Sequence, residues 1–144
     1  MRPSPTRTHA ALISGTVILA TATSWFLVGD QSTRPLYPQE SNRPLTVSGS
    51  VARALGIAGL VLTPIAYAAV EREMRAGRLS GAWRPVLLSL SVIGVAAAWT
   101  WRVMTARVVG ANIGAGLLLL FVVPLLAPAA AWAIGRAVTL IARR

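Results

Sequence analysis

The chain has 144 residues, 55% of them hydrophobic and only 12% charged, with a net charge of +10. That is the length of one domain, but the balance is too apolar and too poor in charge for an ordinary soluble fold. Cysteine is absent, which excludes disulfides, thiolate catalysis and cysteine-ligated metal or iron-sulfur sites.

The apolar residues arrive in runs of about 18 or more, the length that crosses a hydrocarbon core of roughly 30 Å. None alternates with period two along its whole length, as a barrel strand would, and backbone polar groups in lipid must be satisfied within their own segment. The sequence therefore predicts an all-α integral membrane protein, a single domain over residues 1–144 forming a four-transmembrane-helix bundle.

The first predicted helix covers about residues 10–29, "AALISGTVILATATSWFLVG", and follows Arg2 and Arg7. Its "ATA" at residues 20–22 resembles a signal-peptide cleavage site, but apolarity continues through Trp25, Phe26, Leu27 and Val28, so a retained helix is expected. The single histidine, His9, lies at its start and is read as an unpartnered interfacial residue. One histidine cannot supply the paired ligands of a bis-histidine haem or a typical zinc site. An outer loop, residues 30–49, follows with Tyr37, three prolines and "RPL" at both 34–36 and 43–45. Two three-residue copies do not make a repeat architecture. Residues before proline are held extended, so the loop is expected to be irregular and partly stiff.

The second helix is predicted over about 51–70, with Arg53 near its start and Pro64 inside. Glu71 and Arg75 stand at i,i+4 with the favourable polarity, which extends this helix past the bilayer. The connecting loop, 71–84, carries Gly77 and Gly81 as breakers. Trp83 beside Arg84 is expected at headgroup level as an aromatic and basic anchor.

The third helix is predicted over about 85–108. Its apolar part, "PVLLSLSVIGVAAAWTW", ends at Trp101, which places Trp99 and Trp101 in an aromatic belt and lets Arg102 snorkel to the outer interface. Arg102 and Arg107 are then expected to form an outward cationic patch for an anionic lipid or an acidic partner. Gly110, Asn112, Gly114 and Gly116 allow a reversal into the fourth helix, about 113–135, which contains Pro124 and Pro128 and precedes a basic tail, 136–144.

With the N-terminus inside, nine arginines fall in cytoplasmic segments (Arg2, Arg7, Arg72, Arg75, Arg78, Arg84, Arg136, Arg143, Arg144) and five outside (Arg34, Arg43, Arg53, Arg102, Arg107). Both termini are therefore expected in the cytoplasm. All 14 basic residues are arginine, which with the abundance of Ala and Gly suggests a GC-rich genome, and a bacterial plasma membrane is the expected location. Arginines beside apolar spans favour anionic headgroups over nucleic acid as the source of the charge.

Chemistry is sparse. Asp30, Glu40, Glu71 and Glu73 all lie outside the predicted spans, so the intramembrane carboxylate of a proton-coupled carrier is missing. No His-Asp partnership can be built around the plentiful Ser and Thr, so a non-enzyme without cofactor is expected. Small residues do recur at packing intervals: Ala11 and Gly15; Thr16, Ala20 and Ser24; Ala52 and Gly56; Gly59 and Thr63; Gly94 and Ala98; Ala127, Ala131 and Gly135. The expected function is that of a non-catalytic accessory, assembly or scaffold subunit of a larger membrane protein complex, with other membrane subunits as partners. The alternative is a small oligomeric channel or carrier for a small solute or anion. Candidate lipid or partner contacts are Arg102, Arg107, Trp99, Trp101, Arg53, Tyr37, Arg84 and Trp83.

Overall fold

An apolar segment without internal charge can satisfy its backbone only by bonding to itself, and helices result. The computed structural model describes residues 7–29, 47–105 and 111–142. It contains α1 (Arg7–Val28), α2 (Gly49–Arg75), α3 (Trp83–Thr105) and α4 (Ala111–Ala142), and no strand among the described residues. Each helix includes a stretch long and apolar enough to cross a membrane. Tyr37 with the loop 30–46, Arg107, the turn at Gly110, and Arg143 and Arg144 lie outside the described residues.

Helix limits depart from the apolar runs where polar sequence still favours a helix. The 27 residues of α2 span about 40 Å, roughly 10 Å more than a hydrocarbon core, and the excess is its charged last turn. There Arg75 Nε donates to Glu71 Oε1 at 3.2 Å, the expected i,i+4 pair. Helix α3 starts at Trp83 with Pro85 in its first turn, where no internal N–H bond is lost. Helix α4 continues to Ala142, so most of the expected tail 136–144 is helical.

Helix α2 ends in a Schellman motif. Gly77 takes φ +72°, its N–H bonds to Met74 O at 3.1 Å, and the next N–H, of Arg78, bonds to Glu73 O at 3.1 Å. This reversal drops Leu79 into the core, where it is 1% exposed.

Helix α1 packs against both α2 and α3, and α4 packs against α3. The buried stripe of α1, Ile13, Thr16, Ala20 and Thr23, recurs at intervals of three and four, as one helical face requires. Glycine meets that helix on both sides. A Cβ on Gly59 of α2 would collide with Thr23 Oγ1 and lie 3.2 Å from the Thr23 Cα. One on Gly94 of α3 would collide with Thr21 Oγ1, and one on Gly56 would sit 3.3 Å from Leu27 Cδ2. Of the small-residue rows read from the sequence, these three glycines are the close approaches. Gly15 and Gly135 face open space.

At one end Ile13, Val70, Leu79, Trp83, Val86 and Leu87 form a core cluster, with Ala137 and Leu140 of α4 packed against it. The beginning of α1 and the end of α4 therefore share an end. Trp83, expected at headgroup level, is instead 6% exposed within this cluster, because it opens α3 on the face that also presents Val86 and Leu87. Among the described residues α2 and α4 do not pack together, so the helices form a ring left open between them rather than a closed bundle.

If close approach to α1 limits stability, Gly59→Ala and Gly94→Ala should each lower unfolding free energy in a detergent-denaturant titration by about 1–3 kcal/mol, the usual penalty for overpacking. Gly15→Ala, which meets nothing, should leave it unchanged or raise it by up to about 1 kcal/mol through helix propensity.

Candidate functional site

Three features bear on function: an apolar groove along the open seam, a buried arginine beyond one end of it, and an ionic ring at the other. The groove follows from the ring's geometry. With α2 and α3 both packed on α1, α1 becomes a floor and its neighbours become walls. The space holds about 1020 Å³ and is lined by side chains from all four helices, including Leu60, Val92, Trp99 and, from α4, Leu118 and Val122. That lies at the upper limit of about 300–1,000 Å³ typical of small-ligand pockets, yet here the space opens sideways.

Six hydroxyl side chains line the groove, and three of them, Thr23, Thr63 and Thr100, are committed to bonds within the protein. Thr23 Oγ1 donates to Leu19 O at 2.7 Å and stands 3.0 Å from Thr63 Oγ1. A hydroxyl has one hydrogen, so Thr63 donates to Thr23 and the pair ties α1 to α2. Thr100 Oγ1 donates to Ala96 O at 2.8 Å. Ser91 Oγ is buried and makes no hydrogen bond among the described residues.

One turn beyond Trp99, Arg102 departs from its expected place. It is 3% exposed, turned toward α1 instead of snorkelling outward. Its Nε donates to Trp25 O at 3.2 Å, and the guanidinium carbon stands 4.2 Å from the Trp25 ring centroid. Trp25 is the fourth residue from the end of α1, so its carbonyl is among the four that lack an intrahelical partner. Arg102 thus caps the negative end of the α1 dipole while stacking on an indole face. The helical period placed it there: Gly94, Ala98 and Arg102 follow one another at i,i+4 on the face that meets α1. The small-residue row found in the sequence already pointed at Arg102, but the charge directed its reading outward.

The remaining candidates divide. Trp99 and Trp101 keep 57% and 52% of their surface exposed, and the Trp101 ring lies 6.4 Å from that of Trp25 at 31°. Arg53 is exposed and bonds Gly49 O of its own helix at 3.2 Å. Arg84 belongs to the ionic ring at the far end, where its Nη2 donates to both Glu71 oxygens at 2.8 and 2.9 Å. Arg78 grips Glu73 through Nε and Nη2 at 2.8 and 2.7 Å. His9 Nε2 stands 3.2 Å from Glu73 Oε2, so the histidine read as unpartnered links α1 to α2. These pairs tie α1, α2, the loop and α3 at one level.

The ring has an electrostatic signature. Hydrogen bonding from Arg78, then from His9, holds the Glu73 carboxyl down to about 2. Arg84, then Arg75, lowers Glu71, and Glu73 raises Arg78. Among the described residues, no three of His, Cys, Asp and Glu gather where they could hold a metal ion. Compared with protein-family models, curated proteins and solved structures, the chain matches none.

Two outcomes follow. Arg102→Lys keeps the charge but loses the planar stack and the Nε donor; it should destabilise the protein by about 1–3 kcal/mol, the range for a buried acceptor losing its partner, and shift tryptophan emission to the red. A carboxyl whose folded value is depressed stabilises fully above its ordinary value of 4.5 and loses that contribution as pH falls through the folded value. Thermal stability should therefore fall between pH 4.5 and about 2, and Glu73→Gln should flatten that part of the profile.

Proposed function

We propose that this chain is a non-catalytic subunit of a larger membrane protein complex, crossing a bacterial plasma membrane four times with both termini in the cytoplasm, and that its partner lays a transmembrane helix along the groove between α2 and α4. The observation that carries this reading is the incomplete ring: four helices line one apolar groove of about 1020 Å³ and none of them closes it. In lipid, helices associate by dispersion and shape rather than by the hydrophobic effect, so a grooved surface recruits a helix where a flat one does not. Helix α4 fits the same reading, because Leu120, Phe121 and Leu125 are 64, 66 and 74% exposed and α3 is the one described helix it packs on.

The channel or carrier reading draws less support. A solute path needs polar groups facing it, whereas Thr23, Thr63 and Thr100 bond within the protein and Arg102 is turned into the α1–α3 contact.

Tagged in its native membrane and purified in mild detergent, the protein should bring down a stoichiometric larger partner. Val92→Trp, which narrows the groove from an exposed position, should reduce that recovery about tenfold or more, the scale of a disrupted interface hot spot, with the variant still folded. Recovery of the wild type solely as monomer or homo-oligomer would count against the reading, as would solute flux in liposomes containing the chain alone.

A further inference from the structure

A second, smaller cavity lies at the ionic end of the seam. It holds about 300 Å³ between the last turns of α2 and the first of α3, and its lining includes Tyr67, Val70, Met74 and Leu87, with Glu71 and Arg84 at its charged edge. The stretch of α2 that borders it, from residue 67 to residue 74, covers about 10 Å, a third of a hydrocarbon core. An apolar slot of this depth, opening beside charged side chains at the end of a span, takes the upper part of an acyl chain and leaves its headgroup among the charges.

The sign of those charges selects the headgroup. Glu71 sits between two arginines, accepting from Arg75 at 3.2 Å and from Arg84 at 2.8 Å. One carboxylate against two guanidiniums leaves a net positive charge at the mouth of the slot. It also leaves donors: the bonds to Glu71 use Nε of Arg75 and Nε and Nη2 of Arg84, while each guanidinium carries five N–H groups. The two side chains are 80 and 55% exposed. Arg72, in the same turn, is exposed and adds a further cation. A phosphodiester matches this mouth in charge and in geometry. A free anion would make no use of Val70, Met74 and Leu87.

We propose that this slot is a binding site for one anionic phospholipid, its phosphate held by Arg75 and Arg84 and the first part of an acyl chain lying between α2 and α3. The site stands independently of the partner-helix reading and is tested on the purified chain alone.

The full-length protein in neutral detergent is offered equal amounts of phosphatidylglycerol and phosphatidylcholine with identical acyl chains, and retained lipid is read by native mass spectrometry. Phosphatidylglycerol should be retained about fivefold over phosphatidylcholine, the effect of one net cation at a headgroup. Arg75→Gln with Arg84→Gln should abolish the preference, and Ala68→Phe, which fills the slot, should reduce retention of both lipids. Glu71→Gln separates lipid binding from a purely structural ion pair, since it breaks the same pair yet frees donors and should keep or raise the preference. Excess inorganic phosphate should not displace the lipid. Equal retention of the two lipids by the wild type, loss of preference in Glu71→Gln, unchanged retention in Ala68→Phe, or displacement by inorganic phosphate would each overturn the proposal.

Discussion

Helix α1 is the element on which the rest of the structure hangs, and its neighbours can come close because glycine faces it on two sides. At Gly59 and Gly94 even a methyl group would meet a threonine of α1. Close approach multiplies weak dispersion contacts and brings Thr63 within hydrogen-bonding distance of Thr23. It also determines what cannot happen. With α2 and α3 both drawn onto α1, the space between them is left as a groove, and α4, attached through α3, does not close it.

The two ends of this assembly are secured by different physics. At one end half-buried carboxylates pair with exposed guanidiniums, and a core cluster anchored by Leu79, Trp83 and Val86 backs them. At the other, a buried guanidinium meets a helix carbonyl and an indole face. A charge with 3% exposure is tolerated because it answers an existing need: the last carbonyls of a helix lack intrahelical partners, and the negative end of that helix favours a cation. Arg102 is thus part of the scaffold that holds the groove's walls in place, while the exposed Trp99 lines the groove and Trp101 lies near Trp25.

On the proposed reading, these features serve binding. The groove is lined mainly by apolar side chains, which suits a helix better than a solute. The slot at the ionic end adds cations to a shorter apolar recess, which suits a lipid headgroup and chain. An incomplete ring of helices and an apolar slot at its base would both, on that reading, be completed by neighbours in the membrane.

Much of this was determined by the sequence itself. Run length and the scarcity of internal charge dictate four helices, because a backbone in an apolar setting must bond to itself. The pair Glu71 and Arg75, the breaker Gly77, and the packing glycines Gly56, Gly59 and Gly94 are also legible, since each depends on local spacing or backbone conformation. Which way a side chain turns was decided by tertiary structure alone. Trp83 and Arg102 both look interfacial in the sequence, an aromatic beside a cation at the end of an apolar run. Both are buried, because the 3.6-residue period places them on the faces that meet other helices, and because Arg102 finds a carbonyl and a ring there. His9 acquires its carboxylate partner from 64 residues away. The open seam between α2 and α4 is likewise invisible in any single segment, for it is the space left over once every pairwise contact of α1 and α3 has been made.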